Sequence, residues 1–249
     1  MRSPLLRKGG LFLALSLLFT TLLPAPTQAL SNFKVAPSTV WGHTYAGKAV
    51  GNPTTTPPKV FNLEAKSKFV VNYKNFPDWA KKDFQSAVDI WAANFASTAP
   101  VTIDASWGRA PSWGVLGSAR PGNYYSGFDG APDQSLWYPS ALANALAGKD
   151  LEPNNPDMVI QINSLANWNT RNDGTPSATE YDLPSVFLHE MAHGLGFLST
   201  DSYDSFFGYG TIEQPTPYAA YAQLTDGRRL SDLPSPSIER GKALTSKLV

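Results

Sequence analysis

Apolar and polar positions along this chain change period several times, and each change predicts an element. Residues Lys68-Phe69-Val70-Val71-Asn72-Tyr73 form a β-branched and aromatic run that predicts a strand. Pro77 then stands where a helix can begin, with Asp78 in its first turn. From there Trp79, Phe84, Val88, Trp91 and Phe95 recur at mostly helical spacing, so a long amphipathic helix runs to about Ser97. The ordinary role of such an aromatic stripe is core packing against a sheet. Pro100 ends that segment, and Val101-Thr102-Ile103-Asp104-Ala105 predicts the next strand. Strand, helix and strand in this order make a βαβ unit, and the expected class is α/β (α+β) with a twisted mixed sheet and a long backing helix.

Further on the pattern loosens and recovers. Trp107 to Tyr138 is rich in Gly, Pro and aromatics with no period, and is expected to be ordered loop over the sheet. Within it Trp113, Tyr124, Tyr125 and Trp137 are candidates for the walls of a cleft, with packing as their more ordinary role. Ser140 to Ala147 predicts a short helix closed by Gly148, and Asp157-Met158-Val159-Ile160-Gln161-Ile162-Asn163 a further strand. No repeat of fixed period is visible.

The two ends carry other signals. Arg2, Arg7 and Lys8 open the chain, Leu11 to Leu23 is mostly apolar, and Pro24-Ala25-Pro26-Thr27-Gln28-Ala29 supplies a breaker and small residues. That is the layout of a secretory signal peptide cut after about Ala29, with an apolar run too short to span a bilayer comfortably. A secreted, extracellular protein without stable membrane association is therefore expected. Residues 30–60 are expected to be a linker or short pro-segment, because Gly51-Asn52-Pro53-Thr54-Thr55-Thr56-Pro57-Pro58 removes amide donors and offers little to bury. His43, in this stretch, is expected at the surface. Residues 61–249 remain as one domain, and Leu244 to Val249 ends in what could be the start of a strand.

Composition narrows the chemistry. The full chain carries 20 Lys+Arg and 20 Asp+Glu; losing Arg2, Arg7 and Lys8 with the leader leaves it mildly acidic. A nucleic-acid partner, which calls for a basic patch, is not expected, and a monomer is. Cysteine is absent, which excludes a thiol nucleophile although export would permit disulfides.

The candidate site lies in Ser185-Val186-Phe187-Leu188-His189-Glu190-Met191-Ala192-His193-Gly194-Leu195-Gly196-Phe197. Asp182 can cap this helix and Pro184 is tolerated in its first turn. On the helix, His189 and His193 lie one turn apart on one face, where two imidazoles can converge on Zn²⁺ at about 2.0–2.1 Å each. Glu190, one step round, can reach a zinc-bound water as general base and later protonate the leaving amine. The expected function is a secreted zinc-dependent endopeptidase hydrolysing protein or peptide substrates; the alternative is a catalytically incomplete secreted binding protein of the same fold.

His189-Glu190-x-x-His193-x-x-Gly196-Phe197 resembles the signature of the zincin metallopeptidases of metzincin type, leishmanolysin-like secreted bacterial enzymes in particular. The resemblance implies a zincin/metzincin-like catalytic domain whose edge strand binds an extended peptide by backbone hydrogen bonds, with Met158–Ile162 as the candidate edge. The usual third histidine, six residues after the second, is Ser199 here. Similar secreted enzymes continue into a smaller C-terminal subdomain, so the resemblance implies that residues 61–249 are a metallopeptidase catalytic domain lacking that part, and Glu213, Asp201, Asp204 or a residue beyond Val249 remain the candidates for a third ligand.

Overall fold

The runs at 69–73, 101–105 and 158–163 are strands, and the aromatic stripe between the first two is the longest helix. In the computed structural model, which describes residues 33–47, 65–110, 112–171 and 173–245, the elements follow as β1 (Lys34–Pro37), β2 (Gly42–Tyr45), β3 (Phe69–Lys74), α1 (Asp78–Asn94), β4 (Val101–Gly108), β5 (Val115–Pro121), β6 (Asn123–Ser126), β7 (Tyr138–Pro139), α2 (Ser140–Ala147), β8 (Met158–Asn163), α3 (Leu183–Leu195), β9 (Asp201–Asp204), β10 (Tyr209–Ile212), α4 (Pro217–Tyr221) and α5 (Ile238–Thr245). The expected signal peptide, residues 1–29, and the Pro/Thr-rich stretch 51–58 lie outside the described residues. Among the described residues no helix is long and apolar enough to cross a membrane.

Five strands form the main sheet in the order β2-β5-β8-β4-β3. Strands β3, β4 and β8 run parallel, while β5 is antiparallel to β8 and β2 antiparallel to β5. The architecture is thus mixed α/β with a twisted mixed sheet. Strands β1, β6 and β7 make a second small sheet, and β9 and β10 a hairpin. Gly122 alone separates β5 from β6, so the chain leaves one sheet and enters the other across a single residue.

The core explains the order. Val101, Ile103 and Ala105 of β4 alternate into it, as do Met158, Ile160 and Ile162 of β8. Helices α1 and α3 cover that face; Phe84 and Phe187, both with no exposed surface, meet at a centroid distance of 4.6 Å. Each such buried phenylalanine contributes about 1.5–3 kcal/mol over its exposed state. Because α3 is pinned there through Val186, Phe187 and Met191, its remaining side is free to carry chemistry.

Four expectations change. Met158–Ile162 is an interior strand, flanked by β5 and β4, so it cannot offer an open edge. The stretch 30–60 contains two strands, β1 and β2, where only a linker was expected. Much of Trp107–Tyr138 is strand as well: β4 continues to Gly108, and β5 and β6 follow. Strand β5 is buried on both faces, which removes the alternation that would have marked it. The last described segment is helix α5, ending at Thr245, and residues 246–249 lie outside the description.

Candidate functional site

Helix α3 starts on Asp182, whose carboxylate accepts hydrogen bonds from the Ser185 amide (3.1 Å) and hydroxyl (2.5 Å), with Pro184 in the first turn. It stops at Gly196, whose φ of 117° is open only to glycine without strain. Between these ends the 3.6-residue period sorts three polar side chains. His189 faces solvent, His193 is half-buried, and Glu190 is fully buried against β2 and β5.

The two histidines converge: their Nε2 atoms stand 2.9 Å apart. The orientation of His193 is set from behind, because its Nδ1 lies 2.9 Å from the carbonyl oxygen of Phe197. A carbonyl only accepts, so Nδ1 carries the proton and the Nε2 lone pair points toward His189. Burial, and then the charge of His193, hold the His189 pKa below the usual imidazole value. His189 is thereby biased to the neutral form that a metal requires.

Glu190 is the most constrained group in the site. Its Oε1 accepts from the Thr44 amide (3.0 Å) and the Thr44 hydroxyl (2.6 Å). Its Oε2 is buried with no hydrogen-bond partner among the described residues. Burial pushes the carboxyl pKa up to about 7, against the lowering effect of the two Thr44 bonds. Gly117 on β5 is required beside it, since a Cβ there would lie 2.8 Å from Glu190 Oε1. Gly42 has the same role over the histidine pair, because a Cβ would come within 2.3 Å of the His193 ring.

His43 is not an isolated surface residue. It sits on β2 with Nδ1 2.8 Å from the Ser118 hydroxyl of β5, and burial followed by the charge of His193 lowers its pKa. Strand alternation nonetheless turns it away from α3: Gly42 and Thr44 face the helix, so His43 faces the opposite side. The three histidines of the chain are close in space without sharing a face.

The candidate third ligands do not join the pair. Asp201 is buried in an ion pair with Arg240 (2.7 Å) and also accepts from the Ser199 hydroxyl. Asp204 caps the turn after β9, accepting from the Phe206 and Phe207 amides. Glu213 is exposed just after β10. Among the described residues no group of three His, Asp, Glu or Cys side chains is placed to hold a metal. The candidate cleft aromatics divide: Tyr124 and Tyr125 are core residues, whereas Trp113 is fully exposed.

Thr44 and Gly117 complete the surroundings of Glu190 and were not singled out from sequence. A usable signal existed for the first, since Thr39-Val40-Trp41-Gly42-His43-Thr44-Tyr45 is rich in strand formers.

Comparison with known proteins gives one match. The model of the SPBPB7E8-like family covers residues 59–214, more than half of the chain, and includes all of α3. No curated protein and no solved structure matches. These findings correct the resemblance to zincins of metzincin type: the family that matches is a different one, and among the described residues the ligand set that defines such enzymes is not assembled. A short helical motif of two histidines and a glutamate recurs wherever a helix presents a metal-binding face, so it carried less family information than its sharpness suggested. By its family match, the chain belongs to the SPBPB7E8-like family.

Proposed function

We propose that the protein is a secreted zinc-dependent endopeptidase in which His189 and His193 hold the metal and Glu190 moves the proton. The single observation that carries this reading is the juxtaposition on α3. Two imidazole Nε2 atoms converge at 2.9 Å, one with its tautomer fixed by Phe197, next to a buried carboxyl with an unpartnered oxygen. An orphaned buried carboxyl oxygen costs about 1–3 kcal/mol or more, and a site that uses it is a physical reason to keep it.

The histidines supply two of the four positions that zinc prefers, so the fit is to a two-residue anchor. When bound, Zn²⁺ supplies Lewis acidity, polarising a carbonyl oxygen and acidifying water near neutral pH. The chain's own residues do the rest. Glu190, with a pKa near neutrality, accepts the proton of the attacking water on its free Oε2 and delivers it to the leaving amine. With strand β2 in place, Thr44 holds Oε1 and leaves Oε2 as the oxygen without a partner among the described residues. The Phe197 carbonyl holds the Nδ1 proton of His193 and leaves its Nε2 lone pair on the side of His189, where the two imidazoles would hold the ion. Export is supported by the basic and apolar leader of residues 1–29.

A second reading, a secreted binding protein without catalysis, is favoured by the lack of a third ligand among the described residues. Zinc titration calorimetry followed by hydrolysis of a quenched fluorescent peptide separates them. The enzyme reading expects zinc uptake that His189→Ala and His193→Ala abolish, and hydrolysis that Glu190→Ala abolishes. Zinc uptake without hydrolysis leaves the binding protein; no zinc uptake ends the metal reading.

A further inference from the structure

Strand β2 is the outermost strand of the main sheet on the side of the site. It pairs antiparallel along the outer edge of β5, matching Gly42 with Ala119, His43 with Ser118 and Thr44 with Gly117. On that edge its helix-facing residues cover the site one by one. Gly42 packs against the His193 ring, with no room for a side chain, and Thr44 engages Glu190 through both its amide and its hydroxyl. Glu190 has no exposed surface with the strand in place. This segment also lies apart from the rest in sequence, because the family match begins at residue 59, after β1 and β2, and covers β3 through β10.

We propose that strand β2 is a built-in occupant of a peptide-binding edge: the β5 edge accepts an extended peptide antiparallel, and β2, anchored on its N-terminal side by the pairing of β1 with β6, fills it and keeps the site closed. The proposal rests on the proposed zinc-peptidase reading only for the consequence on hydrolysis. The strand-exchange part stands on the β2–β5 ladder and the contacts to α3. Main-chain pairing supplies affinity that is indifferent to sequence, while the alternate residues meet α3 and supply selectivity. The register of β2 names that selectivity. The peptide residue over His193 must be glycine, since a Cβ would lie 2.3 Å from the ring. The residue two positions later carries a hydroxyl toward Glu190. The residue between them points away from α3, toward Ser118, and is free to vary in size. The preferred ligand is therefore an extended segment of the form Gly-x-Thr or Gly-x-Ser. A tethered strand competes with such a peptide at an effective concentration on the order of millimolar, which is enough to exclude weak outside ligands until the connection to β3 is cut.

The test uses the full chain with a protease recognition sequence placed at residues 54–57. Cutting the connection and adding excess of a synthetic peptide of residues 33–47, which carries both β1 and β2 and is labelled with a fluorophore, is expected to exchange the resident segment for the labelled one. The same peptide with Gly42→Val is expected to bind at least about tenfold more weakly, the scale of one lost close fit. In the uncut chain, Gly42→Val is expected to raise amide hydrogen exchange in residues 42–45 and 115–119 by about tenfold or more while exchange in β4 and β8 stays slow. If the labelled peptide does not exchange in, or if Gly42→Val speeds exchange across β4 and β8 as well, the strand is an integral part of the core and the proposal falls. With zinc supplied, hydrolysis is expected to rise about tenfold or more on cutting, by removal of the millimolar competitor. Equal hydrolysis before and after cutting overturns the closure while leaving the peptidase reading intact. Strand exchange without hydrolysis in either form leaves the peptide-binding edge in place and removes the peptidase reading instead.

Discussion

Replacing Asp201 with alanine tests how the C-terminal segment is held and whether this carboxylate serves as a metal ligand or a structural counter-ion. Asp201 and Arg240 are each 1 % exposed and meet at 2.7 Å. The guanidinium also donates to the carbonyls of Leu233 and Pro234, so among the described residues Asp201 is the carboxylate that neutralises it. Removing one partner of a buried pair leaves an uncompensated charge, a loss of roughly 3–5 kcal/mol. In a domain of this size each kcal/mol moves the midpoint by about 2–4 °C, so the thermal transition should fall by about 6–20 °C. Equilibrium urea unfolding followed by tryptophan fluorescence measures the loss. The double variant Asp201→Leu with Arg240→Met, which removes both charges and keeps the volume apolar, should recover most of it. Zinc titration of the folded Asp201→Ala protein should match the wild type. A loss below about 1 kcal/mol would show a solvated pair and refute the burial argument. Unchanged stability with weakened zinc binding would instead make Asp201 a ligand.

Three further outcomes follow from buried groups and close contacts. Burial, with the charge of Asp182 next in effect, raises the Asp83 pKa to about 7, so the folded state holds this proton more tightly than the unfolded chain. That stabilisation is present below about pH 4 and is lost as pH rises toward 7, by at most roughly 4 kcal/mol, and Asp83→Asn should flatten the slope in urea unfolding at several pH values. An unchanged slope in that variant would place the titration elsewhere. Gly194→Ala would bring a Cβ to 2.6 Å from the Met158 sulfur, and thermal unfolding should show a loss of about 1–3 kcal/mol from overpacking; a gain would mean that α3 can shift freely on β8. Gly117→Ala should leave zinc titration unchanged while lowering peptide hydrolysis, because its Cβ meets the Glu190 carboxyl rather than the histidines; weakened zinc binding would show that the two halves of the site are not separable in this way.

Much of the frame was legible from sequence because the elements that build it have strong local periods. Helix α1 announces itself through Trp79, Phe84, Val88 and Trp91, and α2 runs over the stretch read as helix, closed by Gly148 in the left-handed region. The cap and stop of α3 were readable too, since Asp182 and Gly196 act through local backbone geometry. Strand β5 was not legible: with glycine, arginine and proline inside and burial on both faces, Val115–Pro121 offers no alternation. The edge of the sheet was misplaced for the same reason, as Met158–Ile162 is edge or interior only by virtue of what pairs beside it. The contact of Thr44 with Glu190 joins residues 146 apart in the chain, and no local pattern encodes a pairing at that distance. Family identity was the part most overread, because a helix turn with two histidines states a chemistry without stating an ancestry.

The most direct test of the account is peptide hydrolysis by the zinc-loaded chain with its N-terminal strand released, compared with Glu190→Gln at equal zinc occupancy. The account predicts cleavage by the wild-type chain and a rate lower by roughly 10²–10⁴ in the variant, the range for a lost general base. Equal rates in the two proteins, or no cleavage by a wild-type chain shown to hold zinc, would contradict it.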